Sequence, residues 1–281
     1  MARPKRLAFV DYALDNWHSN TYLGYLRGAL KGRGWEVAGC HAMREAEGRR
    51  WAAKNRIPYC ASPVELNDRV DAFLVMAPSN PETHLALVRR VVRFGKPVWV
   101  DKTFAPDLAT AKAIFALADA HRVPLETNSA LRFTAVQAYA REVGRDAIRH
   151  MVVWGGGGRL EEYTIHPLEL LVSCMGPKAE RVMRRGKGEE AQLLIDFSGG
   201  RTAVVNVYIG TNTDFAASVT TKQATRYIPV DGGVLFRDAT AGILNFLEKR
   251  RPTFDRKESL VIRRLIDLTL SPATRRAFVK V

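Results

Sequence analysis

Residues 72–80 read Ala-Phe-Leu-Val-Met-Ala-Pro-Ser-Asn, an apolar run that ends in turn-forming residues. The run is apolar at consecutive positions, which is typical of a parallel strand covered by helices on both faces. A helical pattern follows from Pro81 to Phe94. A buried strand that leads into a helix is the repeating unit of a doubly wound α/β sheet.

The same alternation of strand and helix extends to both sides of this run. We predict strands at 7–10, 36–40, 97–100 and 123–127, and helices at 22–30, 49–54 and 107–121. Because strands and helices alternate, the strands are expected to lie parallel in one doubly wound sheet. The first domain is therefore predicted to span residues 1–128.

The pattern changes after Arg132, where strand patterns follow one another. Strands are predicted at 148–154, 191–197, 202–209 and 217–229, and helices at 167–174, 239–247 and 257–269. Ser198-Gly199-Gly200 predicts a hairpin turn, and the glycine run 155–158 could let the backbone approach a ligand. Residues 129–281 are therefore predicted to form an α+β domain with a mainly antiparallel, open sheet.

Composition narrows the class of protein. The 281 residues carry a formal charge of +14, but the basic pairs are scattered, which favours a solvated surface over a nucleic-acid site. No apolar run approaches the roughly 20 residues that cross a bilayer, so we expect no membrane contact and a cytoplasmic location. The three cysteines lie far apart, which predicts neither a disulfide framework nor a zinc site.

Short motifs follow one another along the chain. They are Ala77-Pro78-Ser79-Asn80 with His84, Gly95-Lys96-Pro97 leading to Asp101-Lys102-Thr103, Leu131-Arg132-Phe133, Glu162-x-x-x-His166 with Glu169 and Gly176, and the ending 252–281. Together they resemble the glucose-fructose oxidoreductase, inositol dehydrogenase and MocA family over nearly the whole chain. The resemblance implies an N-terminal Rossmann domain that binds NAD or NADP, and hydride transfer at a carbinol carbon of a sugar, polyol or related cyclic alcohol.

The resemblance also implies a set of catalytic and substrate residues. Oxidation of an alcohol needs a base for the hydroxyl proton, and we assign His166 as the acid/base with Lys102 as its partner. Glu162 would orient His166 or contact sugar hydroxyls, while Asn128 and Arg132 would line the substrate cleft. Without the resemblance, Lys102 also fits a solvated strand-end lysine, and His166 also fits a residue that helps to start a helix.

The dinucleotide-binding turn departs from the family pattern. The three glycine positions of G-x-G-x-x-G are occupied by Asp11, Ala13 and Asn16. A carboxylate about 4 Å from a phosphate would cost on the order of 4 kcal/mol at an effective dielectric constant near 20. Further cofactor contacts are implied at Pro78, Ser79, Asn80 and Lys102.

The end of the second strand lacks the acidic residue that binds an adenosine ribose. The stretch reads Gly39-Cys40-His41-Ala42-Met43-Arg44, and Ala42 and Arg44 are expected among the cofactor contacts. Arg44, helped by Arg49, could hold a 2′-phosphate, which favours NADP over NAD. The alternative is that both arginines are exposed helix residues.

The polar segment 11–20 has two interpretations. Asp15, Asn16 or Ser19 could cap the following helix, or the segment could form a polar pocket for a sugar or an unusual cofactor pose. A metal at Asp11, Asp15 and His18 is not expected, because no standard ligand spacing is present.

The leading hypothesis is an NAD(P)-dependent oxidoreductase of sugars, polyols or similar alcohols. The altered turn leaves open a relative that has lost redox turnover, either a ligand-binding or regulatory protein, or a cofactor-free proton-transfer enzyme such as an epimerase or lyase. A homodimer or homotetramer through the open C-terminal sheet is expected, since an uncovered sheet face usually needs a partner.

Overall fold

The computed structural model describes residues 4–188, 190–211 and 213–281, and packing divides the chain into two compact units. The first unit runs to Asn128 and takes in Phe236–Phe254, and the second comprises Ser129–Leu235 and Asp255–Val281. The segment Phe236–Phe254 thus returns to the first unit. The prediction of two continuous domains, 1–128 and 129–281, did not include this return.

The first unit is built on a five-stranded parallel sheet with the order β2-β1-β3-β4-β5. Its strands are β1 (Lys5–Asp11), β2 (Trp35–Ala42), β3 (Ala72–Val75), β4 (Val98–Val100) and β5 (Leu125–Thr127). Its helices are α1 (Trp17–Arg27), α2 (Glu45–Asn55), α3 (Pro63–Asn67), α4 (His84–Val91) and α5 (Leu108–Ala120). The predicted doubly wound parallel sheet is confirmed.

The second unit is built on a seven-stranded sheet with the order β11-β10-β6-β9-β8-β7-β12. Before the sheet begins, α6 spans Ala135–Val143. The sheet and the helices that follow comprise β6 (His150–Gly157), α7 (Leu160–Tyr163), α8 (Ile165–Met175), β7 (Ala179–Arg185), β8 (Ala191–Phe197), β9 (Arg201–Ile209), β10 (Ala216–Thr220), β11 (Thr225–Pro229), α9 (Gly232–Lys249), α10 (Arg256–Leu270) and β12 (Val279–Lys280). All neighbours are antiparallel except β6 and β9, which confirms the mainly antiparallel sheet.

The core of the first unit explains why Phe236–Phe254 belongs to it. Ile243, Leu244, Phe246 and Leu247 of α9 are buried in the same apolar cluster as Phe9 of β1. Burying such side chains contributes roughly 1.5–3 kcal/mol each. Since helical periodicity shows only that α9 has an apolar face, the sequence could not indicate which sheet that face covers.

One predicted strand is wrong. The strand predicted at 217–229 is two strands, β10 and β11, which pair antiparallel across a tight turn. Thr221 closes the turn: its N–H donates to Ala224 O (2.9 Å), and its hydroxyl accepts the N–H groups of Gln223 and Ala224. A threonine hydroxyl is a weaker turn signal than glycine or proline, which is why the turn was missed.

Some general features of the described ranges bear on function. No helix there is long and apolar enough to span a membrane. The three cysteines are buried and unpaired with one another. In the same ranges, no group of three His, Cys, Asp or Glu side chains is placed to hold a metal ion.

Candidate active site

The turn after β1 is closed by the carboxyl group of Asp11. Its oxygens accept hydrogen bonds from the Ala13 N–H (3.2 Å), Asn16 Nδ2 (2.9 Å) and the Ser19 hydroxyl (3.1 Å). The side chain is fully buried, and burial raises the pKa of Asp11 to about 7. Asp11 thus faces into the protein. The repulsion of a bound phosphate that the sequence suggested does not apply to a carboxyl group in this orientation.

The start of α1 offers hydrogen-bond donors to an anion. Asn16 is the N-cap, and its Oδ1 accepts the Ser19 N–H (3.0 Å). The N–H groups of Trp17 and His18 find no acceptor among the described residues. Free N–H groups at a helix N-terminus bind phosphate well. With Asp11 turned inward, the residues at this turn fit a dinucleotide pyrophosphate without the glycines.

Two arginines, Arg44 and Arg49, lie near the end of β2. Ala42 is buried and ends the strand, whereas the Arg44 side chain is 60% exposed. The Arg44 guanidinium lies 5.9 Å from the centre of the Tyr12 ring and 3.5 Å from Glu47. Arg49 is ion-paired within α2 and lies farther along that helix. Arg44 is therefore the better placed of the two for a phosphate.

Lys102 lies two residues after the end of β4, at the carboxyl end of the parallel sheet. Its side chain is buried, with only 9% of the residue exposed. Nζ donates to Pro78 O (3.2 Å), and no carboxylate within the described chain pairs with it. An ammonium group has three donors, so two remain for a ligand. The solvated strand-end interpretation does not fit this burial.

The loop after β3 lies beside Lys102. Pro78 is buried and supplies the carbonyl that Lys102 contacts, whereas Ser79 is exposed. The Asn80 N–H donates to Ala77 O (3.0 Å), which closes the loop into a turn. Ala77 has φ of 66°, a left-handed conformation that costs a non-glycine residue on the order of 1 kcal/mol or more. Such conformations are typical of functional loops.

A buried acid that the sequence analysis did not single out precedes Lys102. Asp101 is fully buried, and its Oδ1 accepts the N–H of Lys102 (2.8 Å). Its Oδ2 lies 2.6 Å from Nδ1 of His18 on α1. Residues this far apart in sequence meet only because the carboxyl ends of parallel strands share one edge. His18 had been noted only as part of a polar segment.

Asn128 ends the first unit with an unsatisfied acceptor. It is buried, and its Nδ2 lies 3.4 Å from Glu126 Oε1. Its Oδ1 has no hydrogen-bond partner in the described part of the chain. Burying an unpaired amide oxygen costs roughly 1–3 kcal/mol, so a water or ligand donor is expected there.

His166, on α8 of the second unit, is held by a hydroxyl group. Its Nδ1 lies 2.8 Å from Ser129 Oγ, which also accepts the Leu131 N–H (3.3 Å). The predicted orienting residue, Glu162, is half-buried and makes no hydrogen bond or ion pair among the described residues. The structure thus gives Ser129 the contact that the sequence analysis assigned to Glu162.

The glycine run of β6 makes room for the rings beside His166. A Cβ at Gly155 would lie 2.7 Å from the Phe215 ring, and one at Gly157 would lie 1.9 Å from the Tyr163 ring. Both rings lie edge-on to His166, with centroids 5.6 Å from its own. The backbone is therefore approached by the protein's own side chains, and these glycines shape the surroundings of His166.

Arg132 belongs to a buried ion network of the second unit. Its guanidinium donates to Glu169 and to Glu258, and Arg145 donates to the other oxygen of Glu258 (2.8 Å). Glu169 also accepts the Ser129 N–H (3.2 Å). Two carboxylates thus contact the Arg132 guanidinium, and its assignment to the substrate cleft stays a prediction. A guanidinium that is 2% exposed and paired with two carboxylates supports the backbone at Ser129.

Comparisons with known proteins agree with this architecture. Residues 22–129 match the family model described as an oxidoreductase family with an NAD-binding Rossmann fold. No curated protein sequence matches the chain significantly.

The fold is shared with solved structures over almost the whole length. A probable dehydrogenase from Thermotoga maritima has a TM-score of 0.82 at 15% identity, covering 98% of each chain. UDP-N-acetylglucosamine 3-dehydrogenase from Acidithiobacillus ferrooxidans has a TM-score of 0.77 at 16% identity, covering 94% of this chain and 96% of that one. A putative myo-inositol dehydrogenase from Sinorhizobium meliloti 1021 has a TM-score of 0.77 at 11% identity, covering 99% of each. The chain thus shares its fold with dehydrogenases of known structure, and residues 22–129 resemble the oxidoreductase family with an NAD-binding Rossmann fold, the glucose-fructose oxidoreductase, inositol dehydrogenase and MocA family.

Proposed function

We propose that this protein is an NAD(P)-dependent oxidoreductase that acts on the CH–OH group of a sugar, polyol or related cyclic alcohol. The observation that carries the proposal is Lys102. A nearly buried ammonium group with one hydrogen bond and no carboxylate partner lies at the carboxyl end of a parallel sheet. A buried cation of this kind is costly unless a ligand uses its remaining donors.

Oxidation of the alcohol requires that charged and hydrogen-bonding groups lie around the reacting oxygen. A bound nicotinamide supplies the hydride acceptor. Lys102 donates a hydrogen bond to the reacting oxygen and stabilises the negative charge that develops there. The Asn128 Oδ1 atom accepts a hydrogen bond from a substrate hydroxyl, which satisfies its unpaired oxygen.

His166 is the proposed acid/base of the second unit. Ser129 holds its Nδ1, and the rings of Tyr163 and Phe215 limit its rotation. A neutral imidazole in this setting can take the hydroxyl proton. Glu162 is half-buried on α7, and its unpaired carboxylate is assigned to sugar hydroxyls.

NADP is proposed as the preferred dinucleotide. Arg44 is exposed at the end of β2, where an acid would bind the unphosphorylated ribose. Its contact with Glu47 at 3.5 Å is a surface ion pair, which is worth at most about 1 kcal/mol and yields readily to a phosphate.

A homodimer or homotetramer is proposed through the outward face of the seven-stranded sheet. Val152, Val204 and Leu194 stand in register on β6, β9 and β8 and are half-buried. Their alternating neighbours Val153 and Val205 are fully buried. A second copy of this face would cover the apolar row.

Calorimetric titration with NADPH and NADH tests the proposal. Micromolar binding is expected, tighter for NADPH than for NADH. Lys102→Ala should lower kcat by 100-fold or more on a sugar that the wild type oxidises. The matched control is Lys112→Ala, at an exposed position on α5, and it should leave kcat unchanged. Failure of the folded wild type to bind either dinucleotide would overturn the proposal.

A further inference from the structure

The first unit contains a buried histidine–carboxylate pair that the proposed function does not use. His18 Nδ1 lies 2.6 Å from Asp101 Oδ2, and Asp101 is fully buried. Because a carboxylate only accepts hydrogen bonds, Nδ1 is the donor. In the neutral ring, this contact selects the tautomer with the proton on Nδ1 and the lone pair on Nε2.

The second nitrogen of His18 remains accessible. The side chain is 11% exposed, and Nε2 has no partner in the described ranges. It is also not among the unpaired polar atoms sealed from solvent. His84 differs in this respect, because both its nitrogens contact main-chain carbonyls in a fully buried site. Among these two buried histidines, only His18 can exchange a proton with a ligand or with solvent.

The pair is connected to Lys102 through Asp101. One oxygen of Asp101 accepts the Lys102 N–H, and the other accepts His18 Nδ1–H. The same carboxylate thus sets the backbone at Lys102 and the ring of His18. Both groups lie at the carboxyl end of the sheet, where open α/β folds bind ligands.

The surroundings of His18 are aromatic and contain few other charges. Its ring meets Trp17 and Tyr22 on α1 and Phe236 on α9, all within 6 Å between centroids. Burial raises the pKa of Tyr22 well above its ordinary value, so the phenol stays neutral. Asp11, at the end of β1, is the remaining acid whose field reaches Asp101.

We infer that His18 and Asp101 form a second proton-transfer pair of this enzyme, in which His18 Nε2 is the exchanging atom. The inference rests on the proposed function. A bound nicotinamide would supply the hydride acceptor, and His18 Nε2, in place of His166, would accept the one proton released when the substrate O–H bond breaks. Asp101 balances the imidazolium charge, and the proton then leaves Nε2 for solvent.

A pair of substitutions separates proton transfer from support. In His18→Asn, the amide nitrogen can replace Nδ1 as the donor to Asp101, but no atom replaces Nε2. We expect kcat to fall about 100-fold, while the Kd for NADPH stays within twofold of the wild type. His150→Asn on β6, a half-exposed histidine bonded to Thr202, is the control and should keep wild-type kcat. Wild-type kcat in His18→Asn would overturn the inference.

A measurement without turnover keeps the two proposals apart. Imidazole ¹⁵N NMR of the neutral ring in the wild type should show His18 with a protonated Nδ1 and an unprotonated Nε2. The opposite tautomer would overturn the inference even if NADPH binds. Because the spectrum is recorded on the wild type, this measurement also tests the inference if His18→Asn does not fold. Conversely, absence of NADPH binding with the expected tautomer would overturn the proposed function alone.

Discussion

Two histidines, one in each unit, differ in the group that holds Nδ1. His18 of the first unit donates to the buried carboxylate of Asp101 at 2.6 Å. His166 of the second unit lies 2.8 Å from the neutral hydroxyl of Ser129. A hydrogen bond to a carboxylate strengthens when the ring gains a positive charge, whereas one to a hydroxyl gains much less. The Asp101 carboxylate thus provides a charged partner for His18, whereas the Ser129 hydroxyl provides a neutral contact that orients His166.

The difference also shows how each site is supported. The surroundings of His18 depend on charge, because Asp101 also anchors Lys102. The surroundings of His166 depend on shape, since the Tyr163 and Phe215 rings occupy space left by glycines. Charge changes should therefore affect the first unit most, and volume changes the second.

Asp101→Asn should give the largest effect, on the His18 side. The amide can donate to Nδ1 and reverse the tautomer, so we expect kcat to fall about 1,000-fold, within the range for loss of acid–base catalysis. Steady-state kinetics and imidazole ¹⁵N NMR measure the two consequences. If Asp101→Asn kept more than a tenth of wild-type kcat, the proposed difference between His18 and His166 would be contradicted. Asp119→Asn, at the C-terminal end of α5, is the control.

Asp11→Asn should change how stability depends on pH. The folded-state pKa of Asp11 is raised from 3.8 to about 7, so the folded protein holds a proton that the unfolded chain loses. The contribution of Asp11 to the free energy of unfolding therefore falls as pH rises from about 4 to about 7. Between pH 5 and pH 8, this loss is on the order of 3 kcal/mol. Urea unfolding should show it in the wild type and not in Asp11→Asn.

The control for this prediction is Asp15→Asn, which lies in the same turn. Parallel pH dependence in the wild type and Asp11→Asn would show that Asp11 ionises normally in the folded protein.

Gly157→Ala should disturb the His166 side by volume and by backbone strain, because Gly157 has φ of 156°, a value that residues with a Cβ rarely adopt. The added Cβ would lie 1.9 Å from the Tyr163 ring, so the ring must move. We expect a loss of about 2 kcal/mol in the free energy of unfolding, together with a lower kcat. The neighbouring Gly158→Ala adds a Cβ 3.7 Å from the same ring, an ordinary contact, and should be nearly neutral. Equal losses in both variants would contradict this account.

Ser129→Ala should give the smallest effect. It removes the hydroxyl that contacts His166 and accepts the Leu131 N–H, but leaves the backbone N–H that donates to Glu169. We expect kcat to fall about tenfold, the value of one hydrogen bond of about 1.4 kcal/mol, with the Kd for NADPH unchanged. Ser129→Thr restores the hydroxyl and should recover most of kcat. A loss in Ser129→Ala that Ser129→Thr does not recover would point to packing instead.

Much of the fold could be predicted from local pattern. The apolar run at 72–80 and its neighbours predicted the parallel sheet, because a strand buried on both faces must be apolar at consecutive positions. The motif around Lys102 likewise drew attention to a residue that the structure places at the carboxyl edge. The turn at Thr221 and the return of α9 to the first unit were missed, because a hydroxyl-closed turn and the partner of an apolar face leave little local signal.

The candidate site was only partly predictable. Asp11 was expected to repel a phosphate, because the sequence shows the type of side chain and not its direction. Arg132 and Glu162 were assigned from the motifs that contain them. In the structure, Arg132 pairs with two carboxylates, and Ser129 makes the contact with His166.

The sequence was therefore sufficient for the class of fold, for most of its elements and for the family resemblance, since these depend on periodicity and on short motifs along the chain. It was not sufficient for the partners of the two histidines. Asp101 lies 83 residues from His18, and Ser129 lies 37 residues from His166. Contacts at such separations are set when strands and helices pack, and burial then determines which polar groups must pair.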